Sequence, residues 1–243
     1  MRAEDNNPGH TNEQAQAPSM GLFGRHVVIT GGTGGLGPAV VHAFAEVGAL
    51  VHVPCVQEQL ADELRIDGVD YTLSVDLRDE AAVATYYRGL PELWASVQVA
   101  GGFHWTPIAD ASRACLERQI EINALTAFLC CREALAVLRA QGTGGRLVNV
   151  TTQALDKPSA GMSVYAMSKA AVSALTRSLA EELRSEGIWV NAIAPSIIDT
   201  PTNRAAMPDA DTSTWTAPSQ IAPTLLYLAA PANASVTGAI IPV

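Results

Sequence analysis

The chain has 243 residues, of which 48% are apolar and 16% charged, and a net charge of −9. That length suits one large α/β domain with its own core, and the composition excludes a wholly disordered protein. The acidic balance argues against a broad electrostatic surface for nucleic acid or anionic membrane, and no run of about 18 apolar residues could span a bilayer. Neither partner is therefore expected. Residues 1–21 are polar, lack the apolar stretch of a secretory signal and read as a disordered tail, with a cytoplasmic location as the expectation. Cys55, Cys115, Cys130 and Cys131 form no CxxC pair and no zinc spacing. They read as small buried hydrophobes, and no metal site is expected.

From Leu22 onward short apolar runs alternate with longer amphipathic ones. The pattern predicts a strand at 25–30, a glycine-rich turn and a helix at 38–47. A strand follows at 49–53, a helix at 57–64, a strand at 71–75 and a helix at 80–88. Next come a strand at 95–100, a long helical pattern at 113–139, a strand at 146–150 and a second long helix at 164–185. A strand at 188–193, a helix at 218–228 and a last strand at 239–243 complete the series. Strands apolar on both faces and separated by helices imply a single-domain α/β fold over 22–243. The expected sheet is doubly wound, parallel and Rossmann-type, with about seven strands and helices on both faces. The irregular stretch 195–216, rich in Pro, Asn, Asp and Thr, reads as a substrate lid.

The first turn is Thr30-Gly31-Gly32-Thr33-Gly34-Gly35-Leu36-Gly37 and opens directly into a helix. Glycines permit a tight turn and close backbone approach, and the helix start offers unpaired N–H groups to a pyrophosphate. Tyr165 and Lys169, four apart, share one helix face, where an ammonium would lower the phenol's pKa. A tyrosine so tuned passes a proton near neutral pH. Thr152 lies thirteen residues before Tyr165, at the end of the fifth strand. Strand carboxyl ends face the ligand crevice of such a sheet, so these groups converge there.

The TGxxxGxG spacing of Gly31, Gly35 and Gly37, with the Tyr165/Lys169 pair, resembles the short-chain dehydrogenase/reductase family. The resemblance covers about residues 22–243. It implies that Thr152 stands in the place of a serine that holds the substrate oxygen. It also implies that Asn123 kinks the long helix and holds a water in a proton relay. Against a bound NAD or NADP it sets Gly31, Thr33, Gly35, Leu36 and Gly37 of the first turn, and Asp76 and Leu77 on the adenine side. Ala100, Gly101, Tyr165, Lys169, Pro195, Ile198 and Thr200 complete that set. Gln98-Val99-Ala100-Gly101 replaces the usual NNAG, a change expected to remove an asparagine that braces the sheet. The acid that reads the adenosine ribose in NAD enzymes is replaced at about Cys55, and no basic residue follows for a 2′-phosphate. The choice between NAD and NADP stays open.

The lid segment, with Val99–Phe103 and Gly161-Met162, also looks similar to dihydropteridine reductases. Phe103, Trp105, Gln153, Leu155, Met162, Met207 and Trp215 are the candidates for lining the substrate site. The leading expectation is an NAD(P)-dependent reductase of a C=O or C=N bond in a small molecule. The other readings are a dihydropteridine-reductase-like pterin reductase, a nucleotide-binding sensor without turnover, and an isomerase or lyase on the same fold. The resemblance further implies a homodimer or homotetramer formed through the two long helices.

Overall fold

The structure is a computed structural model that describes residues 20–243. The tail expected over 1–21 falls, up to residue 19, outside the described residues. Seven parallel strands lie in the order β3-β2-β1-β4-β5-β6-β7. They are β1 (His26–Thr30), β2 (Leu50–Pro54), β3 (Asp70–Thr72), β4 (Ala95–Gln98), β5 (Gly145–Val150), β6 (Ile188–Ala194) and β7 (Ile240–Pro242). The central strands are buried on both faces because both are covered, with Val, Ile and Leu as the main filling. Helices α1 (Gly37–Glu46) and α7 (Pro218–Ala229) pack together on one side, around Val40, Phe44, Ile221 and Leu225. The other side holds α2 (Glu80–Arg88), α3 (Arg113–Gln119), α4 (Thr126–Gln141) and α5 (Ser163–Glu182). There Tyr87, Leu129, Leu138, Leu147 and Leu183 are buried in a second cluster. The order in which strands are added reverses between β1 and β4, which opens a crevice at their carboxyl ends.

Four expectations from the sequence are corrected. The helix expected at 57–64 is only a 3-10 turn at Asp62–Leu64. The Gln57 carbonyl accepts from the Ser74 N–H and the Cys55 backbone pairs with Thr72 and Val75, so the following loops claim what a helix would use. The strand expected at 71–75 is Asp70–Thr72 and ends before Ser74, whose φ of +60 leaves the extended region. The long pattern at 113–139 is three pieces: α3, a π segment at Ile120–Leu125 and α4. The lid is not irregular throughout. It holds α6 (Pro201–Ala206) and a 3-10 turn at Thr212–Thr214, and a bridge between Ile198 and Thr216 closes its base.

At the opposite end of the sheet the first three strands are stitched by side chains. His26 Nδ1 lies 2.8 Å from His52 Nε2, and His52 Nδ1 lies 3.0 Å from Asp70 Oδ2. Beside them Trp94 carries the Arg25 guanidinium 4.0 Å from its ring centroid and that of Arg146 at 4.9 Å.

Candidate active site

The crevice is built first by glycine. Gly31 has φ +66, and a Cβ there would lie 2.6 Å from the Ala100 nitrogen, so only glycine lets the first turn meet the end of β4. A Cβ on Gly35 would press on the Thr200 methyl at 2.9 Å, which places the residue that caps α6 against the same turn. Asp79, Ser112 and Thr200 cap α2, α3 and α6 with their side chains, but α1 starts after Leu36 with no side-chain cap. Its first N–H groups are left for an anion, which is what a dinucleotide pyrophosphate needs.

Asn123 organises the next segment. It sits in the π segment and is buried. Its Oδ1 accepts from the Gly102 N–H at 3.0 Å, and its Nδ2 donates to the Gly102 carbonyl at 2.9 Å and to Ser168 Oγ at 3.1 Å. Ser168 donates in turn to the Tyr165 carbonyl at 2.7 Å. One amide thus ties the end of the β4 loop to the helix that bears Tyr165 and Lys169. Ser168 was not singled out from sequence, although its place between those two residues on α5 could have flagged it.

The brace expected to be lost at position 98 is present. Gln98 Nε2 donates to Ser96 Oγ at 2.8 Å, and its Oε1 accepts from the Thr30 hydroxyl at 3.4 Å. That hydroxyl accepts from the Ala100 N–H at 3.2 Å. The longer amide therefore does the bracing across β1 and β4.

Tyr165 and Lys169 come together with Thr152, but not with the electrostatics expected. Burial pushes the Tyr165 phenol above its usual range, and a hydrogen bond with the Thr152 side chain pulls it partly back. Lys169, one of two lysines in the chain, is buried, and that burial brings its ammonium down to about 8. Its Nζ donates to the Val150 carbonyl at 2.9 Å, so Lys169 is anchored to β5, and burial is the largest influence on the phenol. A Cβ on Gly101 would meet Asn123 Oδ1 at 2.7 Å and Lys169 Nζ at 3.2 Å, which places all three side by side.

The candidate substrate residues divide. The Phe103 ring stands edge-on to the Tyr165 ring at 5.0 Å between centroids. Trp105 Nε1 donates to the Ala160 carbonyl at 3.0 Å. Gln153 takes its N–H to the Pro195 carbonyl and its side chain to the Val243 carbonyl, so it joins β5, the lid base and β7. Leu155, Met162 and Met207 are half-buried, whereas Trp215 is buried beside the Ile198–Thr216 bridge and anchors the lid. The Ile198 carbonyl accepts from Asn203 Nδ2 at 2.8 Å.

After β3 Arg78 forks onto the Asp76 carboxylate at 2.7–3.2 Å and lowers its pKa. With Asp79, Glu121 and Leu125 the pair lines a cavity of about 380 Å³, and Leu77 packs on the second core. Cys55 is only 1% exposed and cannot read a ribose. The side chain that reaches the first turn is Gln57, whose Nε2 donates to Thr33 Oγ1 at 3.2 Å. Arg65 acts electrostatically on Cys55, a cation that lies too far along the chain for the sequence pattern to assign to the end of β2.

Known proteins share this architecture. Residues 25–211 match the profile of the family described as short chain dehydrogenase. A cis-4-hydroxycyclohexanecarboxylate dehydrogenase of Sinomonas cyclohexanicum is 33% identical over 239 residues, covering 90% of this chain and 94% of its own. The L-xylulose reductase of Bos taurus is 28% identical over 234 residues, covering 91% and 96%. A solved structure described as a short chain dehydrogenase/reductase family protein has a TM-score of 0.85 at 30% identity, over 91% of this chain and 96% of that one. No helix among the described residues is long and apolar enough to cross a membrane, and no group of three or more His, Cys, Asp or Glu among them could hold a metal.

Proposed function

Because the chain belongs to the short-chain dehydrogenase/reductase family of oxidoreductases, we propose that it reduces a C=O or C=N bond of a small molecule with NADH or NADPH. The observation that carries the reading is the meeting of half-buried Tyr165 with buried Thr152 and Lys169 at the end of β5, with buried Asn123 tied to the same helix through Ser168. The uncapped start of α1, the first turn and Thr200 would hold the dinucleotide, which when bound supplies the hydride. Tyr165, a neutral phenol at physiological pH whose pKa burial raises further, gives a proton to the substrate heteroatom. Thr152 holds that heteroatom beside the phenol. Lys169 would receive the ribose hydroxyls, a reading supported by Asn123 fixing the Gly101–Gly102 segment beside its Nζ.

Names among the relatives include an L-xylulose reductase and a cis-4-hydroxycyclohexanecarboxylate dehydrogenase, so they leave the substrate class open. The same reading makes the enzyme a homodimer or homotetramer joined through α4 and α5, where Phe128 and Met167 lie exposed.

Tyr165→Phe tests the mechanism. Turnover should fall by roughly 10²- to 10⁴-fold, with NADH or NADPH affinity by fluorescence titration kept within a few-fold. Retained turnover would sink the assignment.

A further inference from the structure

Resting on that reductase reading, we propose that the substrate is a planar, uncharged ring ketone or ring imine gripped by Phe103 and Trp105, with Trp105 as the specificity-determining residue. The argument begins with how firmly this short segment is held. Its start is fixed by the two hydrogen bonds between Gly102 and Asn123. Its end is fixed by the Thr106 N–H, which donates to the Gly161 carbonyl at 2.9 Å. Between them the Trp105 indole lies on Gly161, which has φ +76 and where any Cβ would collide with the indole. The two aromatic rings therefore form a rigid wall on the turn that leads into α5 and Tyr165.

The wall has open apolar faces. Phe103 keeps 38% and Trp105 55% of its surface exposed, although both are large hydrophobic side chains beside a buried polar centre. Ile108, 70% exposed, extends the apolar strip outward. The one donor of the indole is already spent on Ala160, so Trp105 offers a flat face and no hydrogen bond.

The surrounding chain carries little charge. Residues 99–106 include a single ionisable side chain, His104, and residues 152–155 include none. A carboxylate or ammonium packed against the two rings would find no lysine, arginine or carboxylate on these segments, since Lys169 lies deeper on the Val150 carbonyl, and burying it unpaired is costly. A flexible aliphatic chain would gain little from two preset ring faces, whereas a flat ring gains stacking without ordering cost. In the reaction the ring carbon gains a hydride drawn from the reduced dinucleotide, and the heteroatom gains the Tyr165 proton. The products are the ring alcohol or amine and the oxidised dinucleotide.

The test compares 1-tetralone, a fused-ring ketone, with 2-butanone, using NADH and NADPH. Wild-type kcat/KM should favour tetralone at least tenfold, and Trp105→Ala should cut that preference by roughly tenfold, with Trp105→Phe restoring most of it. Tetralone should also quench tryptophan fluorescence saturably, and Trp105→Phe should remove most of that signal. Equal kcat/KM for the two ketones, no saturable quenching, or equal losses on both ketones in Trp105→Ala would overturn the proposal. Saturable quenching through Trp105 without turnover of either ketone would keep the ring site and sink the reductase reading instead.

Discussion

Tyr165 and Lys169 are both driven toward neutrality by burial, which raises an acid and lowers a base. For Tyr165 this keeps the proton a reductase must donate. For Lys169 it places the ammonium's pKa at about 8, inside an accessible window. The chain has just two lysines, so ¹³C-methylated lysine gives one NMR signal for Lys169 and one for the exposed Lys157. The Lys169 signal should titrate near pH 8 in the free protein, and anionic dinucleotide should move that midpoint upward. A midpoint in the ordinary lysine range in the free protein would contradict the burial argument. The folding linkage has a definite sign. Between about 8 and 10.5 the unfolded chain binds the Lys169 proton and the folded one does not, so this residue's contribution to stability rises with pH there.

The strands depend on side chains at their starts as well as on their ladders. His26, His52 and Asp70 join β1, β2 and β3 in one hydrogen-bonded chain, with Glu92 also facing His26. Burial and the neighbouring His52 hold the His26 pKa below 6.5, so the folded state resists a proton that the unfolded chain accepts. Stability from this residue is therefore lost as pH falls below about 6.5. Thermal melts from pH 7.5 to 5 should show a decline that is shallower in His26→Gln, and identical slopes would refute the role. This network was not legible in the sequence, because its members lie 26 and 18 residues apart and meet only through strand register. The site was more legible. Tyr165 and Lys169 share one helix, Thr152 ends a strand, and the glycines occupy one turn, so local spacing was enough. Side-chain direction was not. At the end of β2 the side chain at 55 turns inward and the one at 57 reaches Thr33, which a count of residues cannot tell. Likewise Lys169 bonds to a carbonyl, and carbonyls leave no mark in a pattern of side chains.

Across the whole molecule, one sheet carries two independently covered faces, and its outer helices still show apolar side chains. Phe128 on α4 and Met167 on α5 are 45% and 54% exposed. Light scattering after size exclusion should give a dimer or tetramer. Phe128→Glu with Met167→Glu should shift it toward monomer, and a monomeric wild type would remove the assembly from the proposal. The lid has a different relation to the whole. Its ends meet where Ile198 and Thr216 pair, and the Asp199 N–H and Thr216 carbonyl add a bond of 2.9 Å across the same neck. Whatever lies between is an excursion whose length the sheet does not register. With Thr200 and Asn203 held at one side of the neck and Trp215 at the other, the ten positions 205–214 can thus be rewritten, lengthened or exchanged for those of another chain as one cassette. Evolution, or an engineer, can retune what the crevice admits and leave the cofactor cradle and its folding untouched.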